Sequence, residues 1–159
     1  MPEQAPRKSM SQTRTPGASS NASARRSKEP QRFSACVLQG AVFDDVDLAG
    51  ASLHSCDLRG LQLDDVDARR AFLHNTDLRH ARLDDVALSG ALLHNVDLRR
   101  LRADDVTLAK AQLENVDLRD VQIRDAQIQG LTIDGIRIDR LLAREQARIK
   151  QAKRPSKAR

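Results

Sequence analysis

From Phe33 the chain carries a bulky apolar residue at every fifth position as far as Ile138. All 22 of these positions hold Leu, Ile or Phe except Ala68 and Ala103. Two residues before each, from Leu38 on, stands a small or apolar residue, as at Cys36, Ala41, Val46, Ala51, Cys56 and Leu61, and so on to Ile136. A period of five suits neither regular element. On an α-helix five steps of about 100° come to about 500°, and on a flat strand every odd step changes face. A coil that turns a corner every five residues keeps them all inside. A period of 20 overlies the first: FDDVDLAGASLHSCDLRGLQ (43–62), LDDVDARRAFLHNTDLRHAR (63–82) and LDDVALSGALLHNVDLRRLR (83–102) return Asp-Asp-Val, Leu-His and Asp-Leu-Arg in phase.

The units VDLAG (46–50), CDLRG (56–60), VDLRR (96–100) and VDLRD (116–120) resemble the A(D/N)LXX motif of the pentapeptide repeat proteins. The resemblance spans residues 33 to about 140. It implies an all-β fold, a right-handed quadrilateral β-helix in which four pentapeptides make one square turn. The central Leu or Phe and the small residue two before it then face inward. Four times five is the observed period of 20, so residues 20 apart lie above one another at about 4.8 Å. About 110 residues make roughly five and a half such turns and some 26 Å of stack. At Ala68 and Ala103 the interior is expected to narrow or leave small voids.

Charge divides the chain further. Residues 1–32 hold seven Lys/Arg against Glu3 and Glu29, with Ser, Pro and Gln and no apolar periodicity, which reads as a disordered basic arm. Residues 33–142 carry 13 Lys/Arg against 19 Asp/Glu, a net charge of minus six in a chain of plus five. Seven further Lys/Arg stand against Glu145 alone in 143–159. The expected organisation is an arm (1–32), a solenoid (33–139), a C-terminal capping helix (140–153) and a basic disordered tail (154–159). No apolar run approaches the roughly 18 residues of a membrane span, and the N-terminus lacks the apolar stretch of a secretory leader, so a cytoplasmic protein is expected.

Stacking turns the repeats into columns. One face is expected to present Asp44, Asp64, Asp84 and Asp104 beside Asp45, Asp65, Asp85, Asp105 and Asp125. Carboxylates about 5 Å apart repel by nearly 1 kcal/mol even at bulk-water dielectric, and the first reading is a solvated acidic face. Paired carboxylates here lack the glycine and spacing of a calcium loop. A second face sets Asp57, Asp77, Asp97 and Asp117 two residues before Arg59, Arg79, Arg99 and Arg119, so that columns of opposite sign cross-pair between turns. A third stacks His54, His74 and His94 above Glu114, with Asn75, Asn95 and Asn115 alongside. Three imidazoles in a straight line do not converge on a tetrahedral zinc centre, and a surface ladder is expected. Beside them Phe72 and Leu92 occupy outward positions, a candidate contact surface rimmed by His and Asn.

Cys36 and Cys56 fall on the small inward column one turn apart. Their spacing admits a disulfide, but parallel in-register side chains make the dihedral awkward, and two buried thiols are expected. After the solenoid, IDRLLAREQARIKQAK is expected to form a helix from about Arg140, capped by Asp139, with Leu142, Ile149 and Ala152 on one side, covering the open end of the stack. In similar family members a C-terminal element also forms a dimer, which implies a homodimer through this helix.

No nucleophile, base or oxyanion arrangement is recognisable, nor a phosphate loop or nucleotide fingerprint, so no enzyme, cofactor or metal is expected. The function expected is a rigid protein-interaction module, with Phe72, Leu92, His54, His74 and His94 as candidate partner-binding residues. The family resemblance implies a rival, an acidic mimic of duplex DNA that binds DNA gyrase or another topoisomerase. Its candidate face is Asp44, Asp45, Asp64, Asp65, Asp84, Asp85, Asp104 and Asp105, which suits the attraction of a basic groove for an acidic rod. Two further readings start from the ends. Arg25, Arg26, Lys28 and the tail KQAKRPSKAR suit nonspecific nucleic-acid contact, without aromatic residues for base stacking. The Ser-rich N-terminus suits export as a secreted bacterial effector.

Overall fold

The computed structural model describes residues 29–152. The basic arm up to residue 28 and the tail 154–159 lie outside the described residues. Corners form where the repeat places them, because every fifth residue from Ala35 to Gly130 adopts a positive φ. At Gly50, Gly60 and Gly90 this residue is third in a tight turn, with the N–H of Ala51, Leu61 or Ala91 donated to the carbonyl of Leu48, Leu58 or Leu88 at 2.9–3.0 Å. A positive φ at that place is the mark of a type II turn and suits glycine. The alternate corners carry Asp45, Asp65, Asp85 and Asp105, or Ser55, Asn75, Asn95 and Asn115. Asp and Asn tolerate the left-handed region better than other residues with a side chain.

Between corners the chain is extended and pairs with the coil above and below. One parallel sheet stacks Val42–Asp47, Gln62–Asp67, Arg82–Ala87, Arg102–Thr107 and Gln122–Ile123. The other stacks Arg32–Ser34, Ser52–His54, Phe72–Asp77, Leu92–Asp97, Gln112–Glu114 and Thr132–Ile133, and closes with the antiparallel strand Ile136–Arg137. Register is 20 residues throughout, as in Leu63 against Leu83 and Val66 against Val86. Each backbone reaches both neighbours: Leu48 N–H donates to Asp67 O at 2.7 Å, and Gln62 N–H to Ala41 O at 2.9 Å. The result is a β-solenoid of about five turns, in which both inward columns are buried through the middle coils.

A continuous apolar void of about 90 Å³ runs along the axis, lined among others by Ala68 and Ala103. Leu58, Leu78, Leu88 and Leu98 line it too, so the space is not confined to the coils of the two alanines. Among the described residues one side-chain polar atom is buried without a partner, the hydroxyl of Thr76, which shares its inward column with Cys56 and Val96.

Two expectations need correcting. Cys36 and Cys56 are joined as a disulfide and are not free thiols. In-register stacking brings their Cα atoms to 4.6 Å, inside the range a disulfide spans. The bond ties the first, half-buried coil to the next. The C-terminal helix runs from Ile138 to Ala152, begins two residues earlier than expected, and buries no residue. Only Ile138 packs against the core, while Leu141, Leu142 and Ile149 are exposed by 51%, 45% and 44%. The Asp139 carboxylate accepts the Arg140 N–H at 2.9 Å, as expected of a residue that holds the start of the helix. It lies in the first turn and accepts hydrogen bonds from the Gly130 N–H at 3.1 Å and Arg137 Nε at 2.9 Å, which fastens the helix to the last corner. The helix therefore projects from the stack instead of covering it.

Thr76→Val keeps the shape of the side chain and removes the unpartnered hydroxyl. It is expected to stabilise the solenoid by about 1 kcal/mol in denaturant unfolding, and a destabilised variant would mean that the hydroxyl has found a partner.

Candidate functional site

The outward positions form columns whose chemistry differs from face to face. On the face of the Asp-Leu-Arg units each Asp has two tasks. Its Oδ1 accepts the backbone N–H two residues on, as from Arg79 to Asp77 and from Arg99 to Asp97, both at 3.1 Å. Such side-chain acceptance stabilises a turn. The same carboxylate takes Nε and Nη2 of that arginine, at 2.9 and 2.7 Å for Asp77 and Arg79. The arginines also lean on the next coil: Arg59 Nε lies 3.9 Å from Asp77, Arg79 Nε 3.6 Å from Asp97, and Arg99 Nε 3.5 Å from Asp117. Charges thus alternate along an unbroken ladder from Asp57 to Arg119. The fork of Arg59 holds the Asp57 carboxyl far below the usual carboxylate range, with Gln39 donating as well. Arg119 is the first cause of the lowered value of Asp117, about 2.

The acidic face is assembled as expected, with Asp44, Asp64, Asp84 and Asp104 in register on successive strands. All four are exposed, as are Asp45, Asp65, Asp85 and Asp105. The second set occupies positive-φ corners, so half of the acidic surface has a backbone reason for its residue type. The face is also not uniformly acidic. Arg82 and Arg102 lie on the same strands two residues before Asp84 and Asp104, and Arg124 follows in the column above Asp104.

The third face stacks its rings. His54 and His74 centroids are 4.9 Å apart, His74 and His94 5.1 Å, and the latter two rings are parallel within 1°. The His74 imidazole is pushed below its ordinary value, first by burial between its neighbours and then by their charges. Phe72 lies parallel to His74 at 6.0 Å. It is 39% exposed and in register with Leu92, which is 41% exposed. The same column holds Ser52 and Gln112 in the outer coils, so apolar side chains face outward only in the middle. An open groove runs past Phe72, Leu92, His74, His94, Gln112 and Glu114. Its border is a ladder of amides: Asn95 Nδ2 donates to Asn75 Oδ1 at 3.1 Å, and Asn115 Nδ2 to Asn95 Oδ1. Among the described residues no three His, Cys, Asp or Glu side chains are placed to hold a metal ion.

The family model for pentapeptide repeats matches residues 32–60 and 62–100 in 8 copies. The coils between residues 32 and 100 are built of pentapeptide repeats. Among solved structures, the pentapeptide repeat protein Rfr23 from the cyanobacterium Cyanothece 51142 overlays with a TM-score of 0.62 at 19% identity, covering 65% of this chain and 85% of that one. A pentapeptide repeat protein from the Arabidopsis thaliana thylakoid lumen overlays with a TM-score of 0.50 at 20% identity, over 72% of this chain and 74% of the other. Full-length QnrB1, a plasmid-mediated fluoroquinolone resistance protein, gives a TM-score of 0.32 at 16% identity over 72% of each chain. Likeness at these identities speaks to fold alone, and the last carries no argument about this chain. No curated protein matches the chain.

Within the pentapeptide-repeat solenoid the candidate contact residues are brought together: His54, His74, His94, Phe72 and Leu92 share one face. Reading the sequence missed a cationic corner at His80, Arg82, Arg100 and Arg102. The available signal was the pair Arg82 and Arg102, 20 residues apart where the other coils carry Val42, Gln62 and Gln122, with His80 and Arg100 two residues before them.

The ion-pair ladder has a consequence in acid. Arg119 lowers Asp117 from 3.8 to about 2 in the folded chain, so its stabilising contribution is present above about pH 3.9 and fades as the pH falls towards 2. Asp117→Asn is expected to flatten part of the acid limb of a melting-temperature profile between about pH 4 and 2. A limb of unchanged steepness would show that the pair contributes nothing.

Proposed function

We propose that this pentapeptide-repeat solenoid is a non-enzymatic scaffold that docks a protein partner on the face of Phe72 and Leu92. The observation that carries the reading is the pair itself, two large apolar side chains outward and in register where the coils above and below place Gln112 and Ser52. Apolar anchors within a polar rim are the usual energetic centre of a protein contact. The stacked histidines and the Asn ladder supply that rim on a sheet whose backbone is already paired on both sides, so docking costs little ordering.

A second reading, an acidic mimic of DNA facing gyrase or another topoisomerase, is favoured by the unbroken register of Asp44, Asp64, Asp84 and Asp104. It is weakened by Arg82 and Arg102 on the same strands, which interrupt the negative field. Affinity capture from lysate of the native host separates the two. Phe72→Asp and Leu92→Asp are each expected to lower recovery of the partner at least about tenfold with melting unchanged, as loss of a contact centre does. Asp64, Asp65, Asp84 and Asp85 changed together to Asn are expected to leave recovery intact. The reverse pattern favours mimicry.

The projecting helix adds a proposed homodimer contact, since Leu141, Leu142 and Ile149 stand exposed on it. A second copy offering the same stripe would bury them by a two-fold contact. Light scattering is expected to return twice the chain mass of 17.7 kDa, and Leu142→Glu with Ile149→Glu to return the single chain. A monomer at high concentration would remove this part of the proposal.

A further inference from the structure

Along most of the solenoid an arginine follows an aspartate by two residues and is clamped by it, as Arg59, Arg69, Arg79, Arg99 and Arg119 are. At one corner cations gather that no aspartate clamps: His80 and Arg100 hold the left-handed position just after the clamped Arg79 and Arg99, and Arg82 and Arg102 follow two residues on. Arg82 and Arg102 are in register on neighbouring strands, and their side chains make no ion pair or hydrogen bond among the described residues. Arg100 reaches Asp120 only at 3.8 Å, with both side chains largely exposed. These residues and Gln122 line an open groove of about 400 Å³ around the corner. With His80 neutral, Arg82, Arg100 and Arg102 against Asp120 give it a charge of plus two, on a segment (33–142) of net charge minus six.

Like charges directly opposite one another on neighbouring strands are unfavourable, and an anion between them reverses the sign of that interaction. Guanidinium forks match phosphate oxygens in pairs. Two forks one strand spacing apart, about 4.8 Å, suit two phosphates joined through a bridging oxygen. Arg100 and a ring N–H of His80 add donors at the corner.

We propose that the groove over His80, Arg82, Arg100 and Arg102 binds a compact phosphate anion of the diphosphate class. Its flanks select against length. Asp84 and Asp104 follow Arg82 and Arg102 on the same strands, and Asp120 stands on the other side, so an extended polyanion leaving the groove meets carboxylates. No Phe, Tyr or Trp lines it to stack a base, so the diphosphate carries the recognition and an attached nucleoside adds nothing.

The test is a titration of the full chain with inorganic pyrophosphate, followed by the backbone amide and arginine Nε–H signals in NMR. Saturable shifts are expected at Arg82, Arg100 and Arg102, with affinity at least about tenfold weaker in Arg82→Gln with Arg102→Gln. ADP is expected to bind no more tightly than pyrophosphate. Arg70→Gln, which removes a cation from a different corner, is expected to leave the affinity unchanged. Shifts confined to residues outside the groove, an equal loss in Arg70→Gln, or a clear preference for ADP would overturn the proposal. The shift map of the unaltered chain tests the assignment even where the double variant unfolds.

Discussion

Everything in this molecule depends on the backbone pairing of each coil with the coils 20 residues before and after it. Because Leu48 N–H is committed to Asp67 O and Gln62 N–H to Ala41 O, a side chain has no choice of vertical neighbour. It stands on the residue 20 earlier. A slip of one residue would move every core leucine off its column and every left-handed corner onto a residue unsuited to it. Register is therefore held by the core and by the corners together. The glycines at residues 50, 60 and 90 and the Asp and Asn corners between tight turns are as much a part of the fold as the leucines.

The same constraint creates a difficulty, because it stacks like on like. Carboxylate over carboxylate and guanidinium over guanidinium is what a strict repeat of 20 delivers, and in-register like charges are unfavourable. The Asp-Leu-Arg face escapes by offset. Each arginine pairs with its own aspartate and approaches the aspartate one coil on, so the column alternates in sign even though the sequence repeats. Pairs this exposed are individually weak, and continuity across coils is what gives the ladder weight. The histidine column takes another route, since its rings stack about 5 Å apart, and burial holds His74 below its ordinary value.

What could be read from the sequence follows from this. Counting in fives identifies the core, and counting in twenties identifies every column, which is why Phe72, Leu92 and the three histidines lie together as expected. Counting does not say what a side chain does once placed. Asp97 reads as a surface partner of Arg99, yet its Oδ1 also holds the turn through a backbone N–H. Asp85 reads as part of a charged face, yet its φ of 49° gives it a conformational task. Cys36 and Cys56 are one coil apart in any reading, but whether two such sulfurs bond is a matter of ångströms that no period encodes. The stripe of Leu142 and Ile149 shows that one side of the helix wants cover without saying what supplies it. Here only Ile138 reaches the solenoid core.

A repeat that fixes its interior so tightly leaves its exterior free, and information about binding then sits in departures from the pattern. Ser52 and Gln112 are the ordinary occupants of an outward strand position, while Phe72 and Leu92 are not. Val42, Gln62 and Gln122 are the uncharged occupants of another outward column, while Arg82 and Arg102 are not. Neither departure improves the fold: the first exposes apolar surface, and the second stacks Arg102 on Arg82 beside a left-handed corner where His80 and Arg100 put larger side chains in the column of Gly40 and Gly60. Both fall in the middle coils, where the scaffold is most regular and best able to carry them. These are the two surfaces on which the proposed contacts rest.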